Sequence, residues 1–173
     1  MVHYELWDLM AELNLYADLL EIAKTNVAVQ NFLLQPEHLK ELGDYRDSEA
    51  FLLKFKKWEY LGCRSISRTA VLQKIYDDGG EEFLYDLQAG EDFLLENGHY
   101  KCFIDHKNWV TLAQRKLYNL IDWDDFGERM FSYNIGWEYA VRAQKWDILA
   151  RYHKHGLLFV HGRFYWWFKS FSH

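Results

Sequence analysis

The sequence predicts a compact, mainly α-helical single domain over residues 1–173, with a small antiparallel β-hairpin or three-stranded sheet near the C-terminus. Three observations predict it. Only one proline, Pro36, interrupts 173 residues, and prolines are what usually break helices and mark loops. Apolar residues recur at steps of three and four along most of the chain, which is the helical period. Two aromatic and aliphatic runs flank His161-Gly162 at the C-terminal end, the pattern of a strand pair around a tight turn. Neither a Pro-rich nor a Gly/Ser-rich linker divides the chain, so one domain is expected.

The elements follow in order. Leu6, Trp7, Met10, Leu13, Tyr16, Ala17 and Leu20 place one long helix between Tyr4 and about Ala23. Pro36 suits the first turn of a short helix over 36–42, which Gly43 can end. Asp47 or Ser48 can cap a helix running to Leu61, with Phe51, Phe55 and Trp58 inward. Ser65–Asp78 reads as a helix stopped by Gly79-Gly80, and 81–96 as an acidic helix stopped at Asn97-Gly98. Tyr100-Lys101-Cys102-Phe103-Ile104 is rich in strand formers and is expected to pair with the hairpin at 157–168. Helices over Trp109–Leu120, capped by Asp105 or Asn108, and over Trp137–His155 complete the chain.

Repeats are weaker than elements. Gly98, Gly127 and Gly156 stand 29 residues apart. Tyr139-Ala140-Val141-Arg142, Trp146-Asp147-Ile148-Leu149 and His155-Gly156 together resemble the second half of an ankyrin unit, in which two helices end at a glycine turn. The resemblance covers about 20 residues. It lacks the Thr-Pro-Leu-His opening and a constant period, so it implies a helix pair and carries no function across.

Composition excludes several classes. Half the residues are apolar and 18% aromatic, which is too rich for a disordered chain. Cys63 and Cys102 are too few for a disulfide scaffold and are expected as free, buried thiols. The first residues carry acids and no basic stretch, unlike a signal peptide, and no apolar run is long enough to span a bilayer. A cytoplasmic protein with no membrane contact is expected. Charge is unevenly placed: residues 1–96 hold 19 acids and 9 bases, net −10, and residues 97–173 hold 7 acids and 11 bases, net +4, summing to −6.

Catalytic signatures do not assemble. The chain has no Gly-x-Ser-x-Gly elbow and no phosphate-binding glycine loop. His153 and His155 are two apart, on opposite sides of a helix, so with His161 they form no zinc-type pair. Ile104-Asp105-His106 resembles part of an HNH nuclease core, but Asn108 follows too closely and no histidine falls on 109–120. No cofactor and no metal is expected.

Two compositions stand out instead. Asp77, Asp78, Glu81, Glu82, Asp86, Glu91, Asp92 and Glu96 are eight acids among twenty residues with no base. Such a run can form a solvated helix face, imitate nucleic-acid phosphates, or attract a cation, though Asp-x-Asp-x-Asp-Gly spacing is absent. Phe159, Phe164, Tyr165, Trp166, Trp167, Phe168 and Phe171 crowd thirteen residues, with Arg163 and Lys169 between them. They suit a covered strand, a protein interface, or stacking on single-stranded nucleic acid. The expected function is that of a non-enzymatic, acidic, aromatic-rich protein that occludes a macromolecular partner, as phage counter-defence inhibitors and immunity proteins do. The partner is expected to be a protein with a basic or nucleic-acid-binding surface. Asp77, Asp78, Glu81, Glu82 and Asp86 would steer it, and Arg163, Tyr165, Trp166 and Trp167 would add affinity. The alternative is a hydrolase or nuclease using His99, Asp105, His106 or the His153–His161 group, with or without a metal. A self-associating helical scaffold is a third reading.

Overall fold

The computed structural model describes residues 2–131 and 135–153. Fourteen α-helices run through the described residues. They are α1 (Val2–Glu12), α2 (Tyr16–Ala23), α3 (Val27–Leu33), α4 (Pro36–Leu42), α5 (Glu49–Lys54), α6 (Cys63–Ile66) and α7 (Thr69–Asp77), then α8 (Glu81–Tyr85), α9 (Gln88–Glu96), α10 (Lys101–Asp105), α11 (Trp109–Gln114), α12 (Trp123–Met130), α13 (Ile135–Arg142) and α14 (Trp146–His153). Single 3-10 turns stand at Arg46–Ser48, Trp58–Tyr60 and Tyr118–Leu120. The chain divides into two compact units, Met1–His99 and Tyr100–His173.

Helices this short cannot stand alone in water, so each must bury a face on a neighbour. In the first unit the buried face is Leu19, Val29, Phe32, Leu33, Leu42, Leu52, Ile75, Leu84 and Leu94. Trp7 tilts against Phe32 with ring centroids 5.8 Å apart. In the second unit Phe103, Leu112, Phe126, Ala140 and Leu149 are buried, and Phe131 stacks on Trp137 at 4.3 Å. Most contacts run from a helix to the one before or after it in the chain. This is the sequential packing of repeat-like proteins. It is closest between α8 and α9, where a Cβ on Gly90 would penetrate the Leu84 carbonyl oxygen.

Seven turns share one geometry. Asn14, Lys56, Gly79, Gly98, Lys107, Lys116 and Gln144 all have φ between 54° and 85°. In each, the next residue's N–H bonds the carbonyl five residues back: Leu15 to Met10, Lys57 to Leu52, Gly80 to Ile75, His99 to Leu94, Asn108 to Phe103, Leu117 to Leu112 and Lys145 to Ala140, all at 2.8–2.9 Å. This is the Schellman closure, which satisfies the last carbonyls of a helix. Five of the seven positions are not glycine, so the glycine signal for a helix end is missing at them.

That geometry corrects the expected element lengths. The single helix expected over 4–23 is two, α1 and α2, turned at Asn14. The helix expected from Asp47 to Leu61 stops at Lys54, turns at Lys56 and continues as a 3-10 turn. The 81–96 helix breaks between Tyr85 and Gln88, and the 109–120 helix ends at Gln114 before the left-handed Lys116. Pro36 opens α4 and Gly43 closes it, as expected. Ser48 does not cap α5; its buried hydroxyl donates to the Leu42 and Tyr45 carbonyls, each at 2.6 Å. Asn26, Asn108 and Asp122 act as side-chain caps, of α3, α11 and α12.

The expected sheet is contradicted among the described residues, which contain no strand. Residues 101–105 form α10, with Ile104 N–H bonded to Tyr100 O at 3.1 Å. The adjacent pair Cys102 and Phe103 is buried while Lys101 and Ile104 are exposed, a helical face rather than an alternating one. Strand propensity there yields to burial of that face. The hairpin expected over 157–168 lies outside the described residues. The 29-residue glycine spacing is no structural period: Gly98 is a left-handed turn and Gly127 sits inside α12 against the Tyr152 ring. A different correspondence exists at sixty residues. α5, left-handed Lys56, the turn 58–60, extended Leu61 and α6 match α11, Lys116, the turn 118–120, extended Ile121 and the start of α12. Leu52 and Leu112, and Leu61 and Ile121, are buried at equivalent places.

Candidate functional site

The acidic stretch begins at the end of α7 and runs through α8 and α9. Val71, Leu72 and Ile75 turn one side of α7 inward, Leu84 does so for α8, and Phe93, Leu94 and Leu95 for α9. The remaining positions face water, and there the acids sit: Asp77, Glu82, Asp86 and Glu96 are exposed, and Asp78, Glu81, Glu91 and Asp92 are half-buried. The five carboxylates predicted to steer a partner differ in how they are engaged. Asp77 accepts from Gln73 Nε2 at 2.9 Å. Asp78 pairs with Lys74 Nζ at 3.0 Å, and Lys56 Nζ donates to its carbonyl at 2.8 Å, so two cations border this end of the stretch. Glu81, Glu82 and Asp86 stand one and two turns further along, on α8 and its end. Beneath them Trp58 packs against Phe83 at 6.0 Å and against Gly80, where any Cβ would strike its ring. The Trp58 indole N–H is buried with no acceptor.

The other predicted residues do not converge. His99 stacks on Tyr76, with centroids 3.8 Å apart and planes 18° from parallel. Asp105 is exposed at the end of α10 and His106 follows it in the turn, while Asn108 caps α11 by accepting from Thr111 N–H. The Ile104-Asp105-His106 string is therefore a helix end leading into a cap. His153 closes α14, and His155 and His161 lie outside the described residues, as do Arg163, Tyr165, Trp166 and Trp167. Cys102 is buried and in no disulfide, as expected; Cys63 is in no disulfide but exposed, at the start of the short α6. No group of three histidines, cysteines or carboxylates able to hold a metal exists among the described residues. None of the described helices is long and apolar enough to cross a membrane.

The most developed polar constellation is one that sequence spacing does not show. Asp125 on α12 accepts from Lys107 Nζ at 2.9 Å and from the Trp109 indole N–H at 2.5 Å, with Arg129 Nε at 3.3 Å. The Trp109 and Lys107 hydrogen bonds, with the Arg129 and Lys107 charges, hold its carboxyl below the ordinary carboxylate range. Only the left-handed turn at Lys107 and the α11–α12 connection bring residues 16 and 18 apart onto one carboxylate. The arrangement ties the turn at Lys107 and the start of α11 to α12 within the second unit. A second polar contact of this type joins Tyr16 Oη to His38 Nδ1 at 3.2 Å, with His38 over the Phe32 ring at 4.1 Å.

No family model matches the chain, and neither a curated protein nor a solved structure matches it.

Proposed function

We propose that the protein works by binding, its acidic α7–α9 face docking on a basic, nucleic-acid-binding surface of a protein partner and occluding it. One observation carries this reading: Asp77, Glu82, Asp86 and Glu96 are exposed along a twenty-residue stretch that holds eight acids and no base. Carboxylates so placed imitate a run of phosphates, which a nucleic-acid-binding surface reads through charge alone. Their role would be to accelerate encounter, because like-signed charge clustered on one face steers an oppositely charged partner. Affinity would come from aromatic and arginine anchors, for which Arg163, Tyr165, Trp166 and Trp167 are the sequence's candidates.

The test is the triple variant Glu81→Lys/Glu82→Lys/Asp86→Lys. Captured from a lysate at low salt, a basic partner should be retained by the natural protein, released by high salt, and lost to the variant. With that partner purified, the association rate constant should fall by about tenfold or more at low ionic strength, and its salt dependence should flatten. An unchanged on-rate overturns the reading. Metal analysis of the same purified sample discriminates the hydrolytic alternative, which about one equivalent of bound metal would favour.

A further inference from the structure

A second surface of the first unit has the composition of an interface and is not part of the acidic face. α1 buries Trp7. Its leucines do the opposite: Leu6 is 52% exposed, Leu9 50% and Leu13 61%. Leu6 and Leu9 lie on α1, and Leu13, the residue after its end, continues their spacing with its N–H on the Leu9 carbonyl at 3.0 Å, about 10 Å in all. Large apolar side chains exposed singly are ordinary, but exposed apolar groups that cluster mark contact surfaces. Here they are concentrated in one stretch of chain: of eight exposed large apolar side chains among the described residues, six lie between Leu6 and Val27, and the other two, Ile104 and Trp146, stand apart in the sequence.

Charge identifies the occupant. Between Leu6 and Val27 the acids are Asp8, Glu12, Asp18 and Glu21, and the one base, Lys24, is paired with Glu21. Asp8 and Glu12 are exposed on α1 and follow the edge of the leucine stripe away from Trp7. A second copy of the chain would bring the same acids against these, so self-association is opposed by like charge. A straight leucine stripe is complementary to the ridge of another helix. We infer that the exposed Leu6–Leu9–Leu13 face of α1, edged by Asp8 and Glu12, is a docking site for an amphipathic helix of a partner protein, apolar on one side and bordered by Lys or Arg.

The probes are two synthetic helical peptides of about 18 residues, five turns, with the same leucine face and either lysine or glutamate elsewhere. Binding to the full chain is followed by fluorescence anisotropy. The lysine peptide should bind at least about tenfold more tightly than the glutamate peptide, and should weaken as salt rises. Leu9→Ala/Leu13→Ala should raise its Kd by about tenfold or more, because two anchors are lost. Both leucines are exposed, so the variant should keep its circular dichroism and melting temperature. Asp8→Asn/Glu12→Gln should raise the Kd several-fold and flatten the salt dependence. The triple variant at Glu81, Glu82 and Asp86 should leave the Kd within about twofold, which separates this site from the α7–α9 face. The inference is overturned by any of four results: no binding to the natural chain, equal binding of both peptides, an unchanged Kd in the leucine variant, or sedimentation showing a dimer that the leucine variant dissolves.

Discussion

Asp125 illustrates how one side chain can carry a pH dependence. Its carboxyl titrates below the ordinary range because Trp109 and Lys107 donate to the ionised form. A group whose pKa is depressed on folding stabilises the fold above its unfolded value, near 4, and loses that contribution as pH falls toward the folded value. Asp125→Asn should therefore lower the melting temperature by about 5 °C at pH 7, and the gap to the natural protein should narrow as pH falls below the ordinary carboxylate range. Thermal melts across that range give the answer; a gap independent of pH would mean the carboxylate charge is not what matters. The two tryptophans supply a matched comparison. Trp109 donates its indole N–H to Asp125, whereas the buried Trp58 N–H has no acceptor. Trp109→Phe should cost about 2 kcal/mol, since it removes a hydrogen bond to an ionised carboxylate. Trp58→Phe removes a donor that is already unsatisfied, so only the smaller ring's lost packing opposes it, and the net change should stay within about 1 kcal/mol. Urea midpoints of the two variants would order them.

The left-handed turns are where element lengths are decided, and where sequence reading is least able to see them. Apolar spacing along α1–α2 continues through Leu13 and Tyr16 as if Asn14 were helical, yet Leu13 is exposed and Tyr16 buried, so the pattern in sequence joins residues in different surroundings. Gly79 and Gly98 announce their turns in the sequence; Lys56, Lys107, Lys116 and Gln144 do not. Pro36, Gly43 and the cap at Asn108 were legible for the same reason, each being a residue whose chemistry fits one position. The strand expected at 100–104 shows the limit of propensity: Tyr100, Phe103 and Ile104 suit either state, and tertiary burial chose the helix. The acidic face was legible as composition, its Lys74 and Lys56 border was not, and the Asp125 constellation left no trace in spacing. At this scale two substitutions should move stability in opposite directions. Lys116→Gly relieves a β-carbon at φ 62° and should stabilise by about 0.5 kcal/mol, and Gly98→Ala imposes one at φ 78° and should cost about 1 kcal/mol. Equilibrium denaturation measures both.

Across the whole molecule, the change of charge falls on the division between compact units. Asn97, Gly98 and His99 carry no formal charge, so Met1–His99 holds 19 acids and 9 bases and Tyr100–His173 holds 7 and 11. Each unit thus has its own electrostatic sign, −10 and +4, and a partner attracted to one is not attracted to the other. Packing is equally local. Gly90→Ala forces α9 away from the Leu84 carbonyl and should destabilise by at least about 2 kcal/mol. Hydrogen exchange should then show protection lost in α8 and α9 while α12 amides keep theirs, as expected when interactions are mostly between adjacent elements. Uniform loss would show a single cooperative structure instead.

Neighbour-to-neighbour packing also sets a speed. When most contacts join residues close in the chain, little loop entropy has to be surrendered before a contact forms, and the search for the native arrangement shortens. Each of the seven Schellman turns closes on its own helix, so the helices that end in one can reach their terminus without waiting for the rest. The chain should refold in about milliseconds, at the fast end for a protein of this length, from more than one starting point.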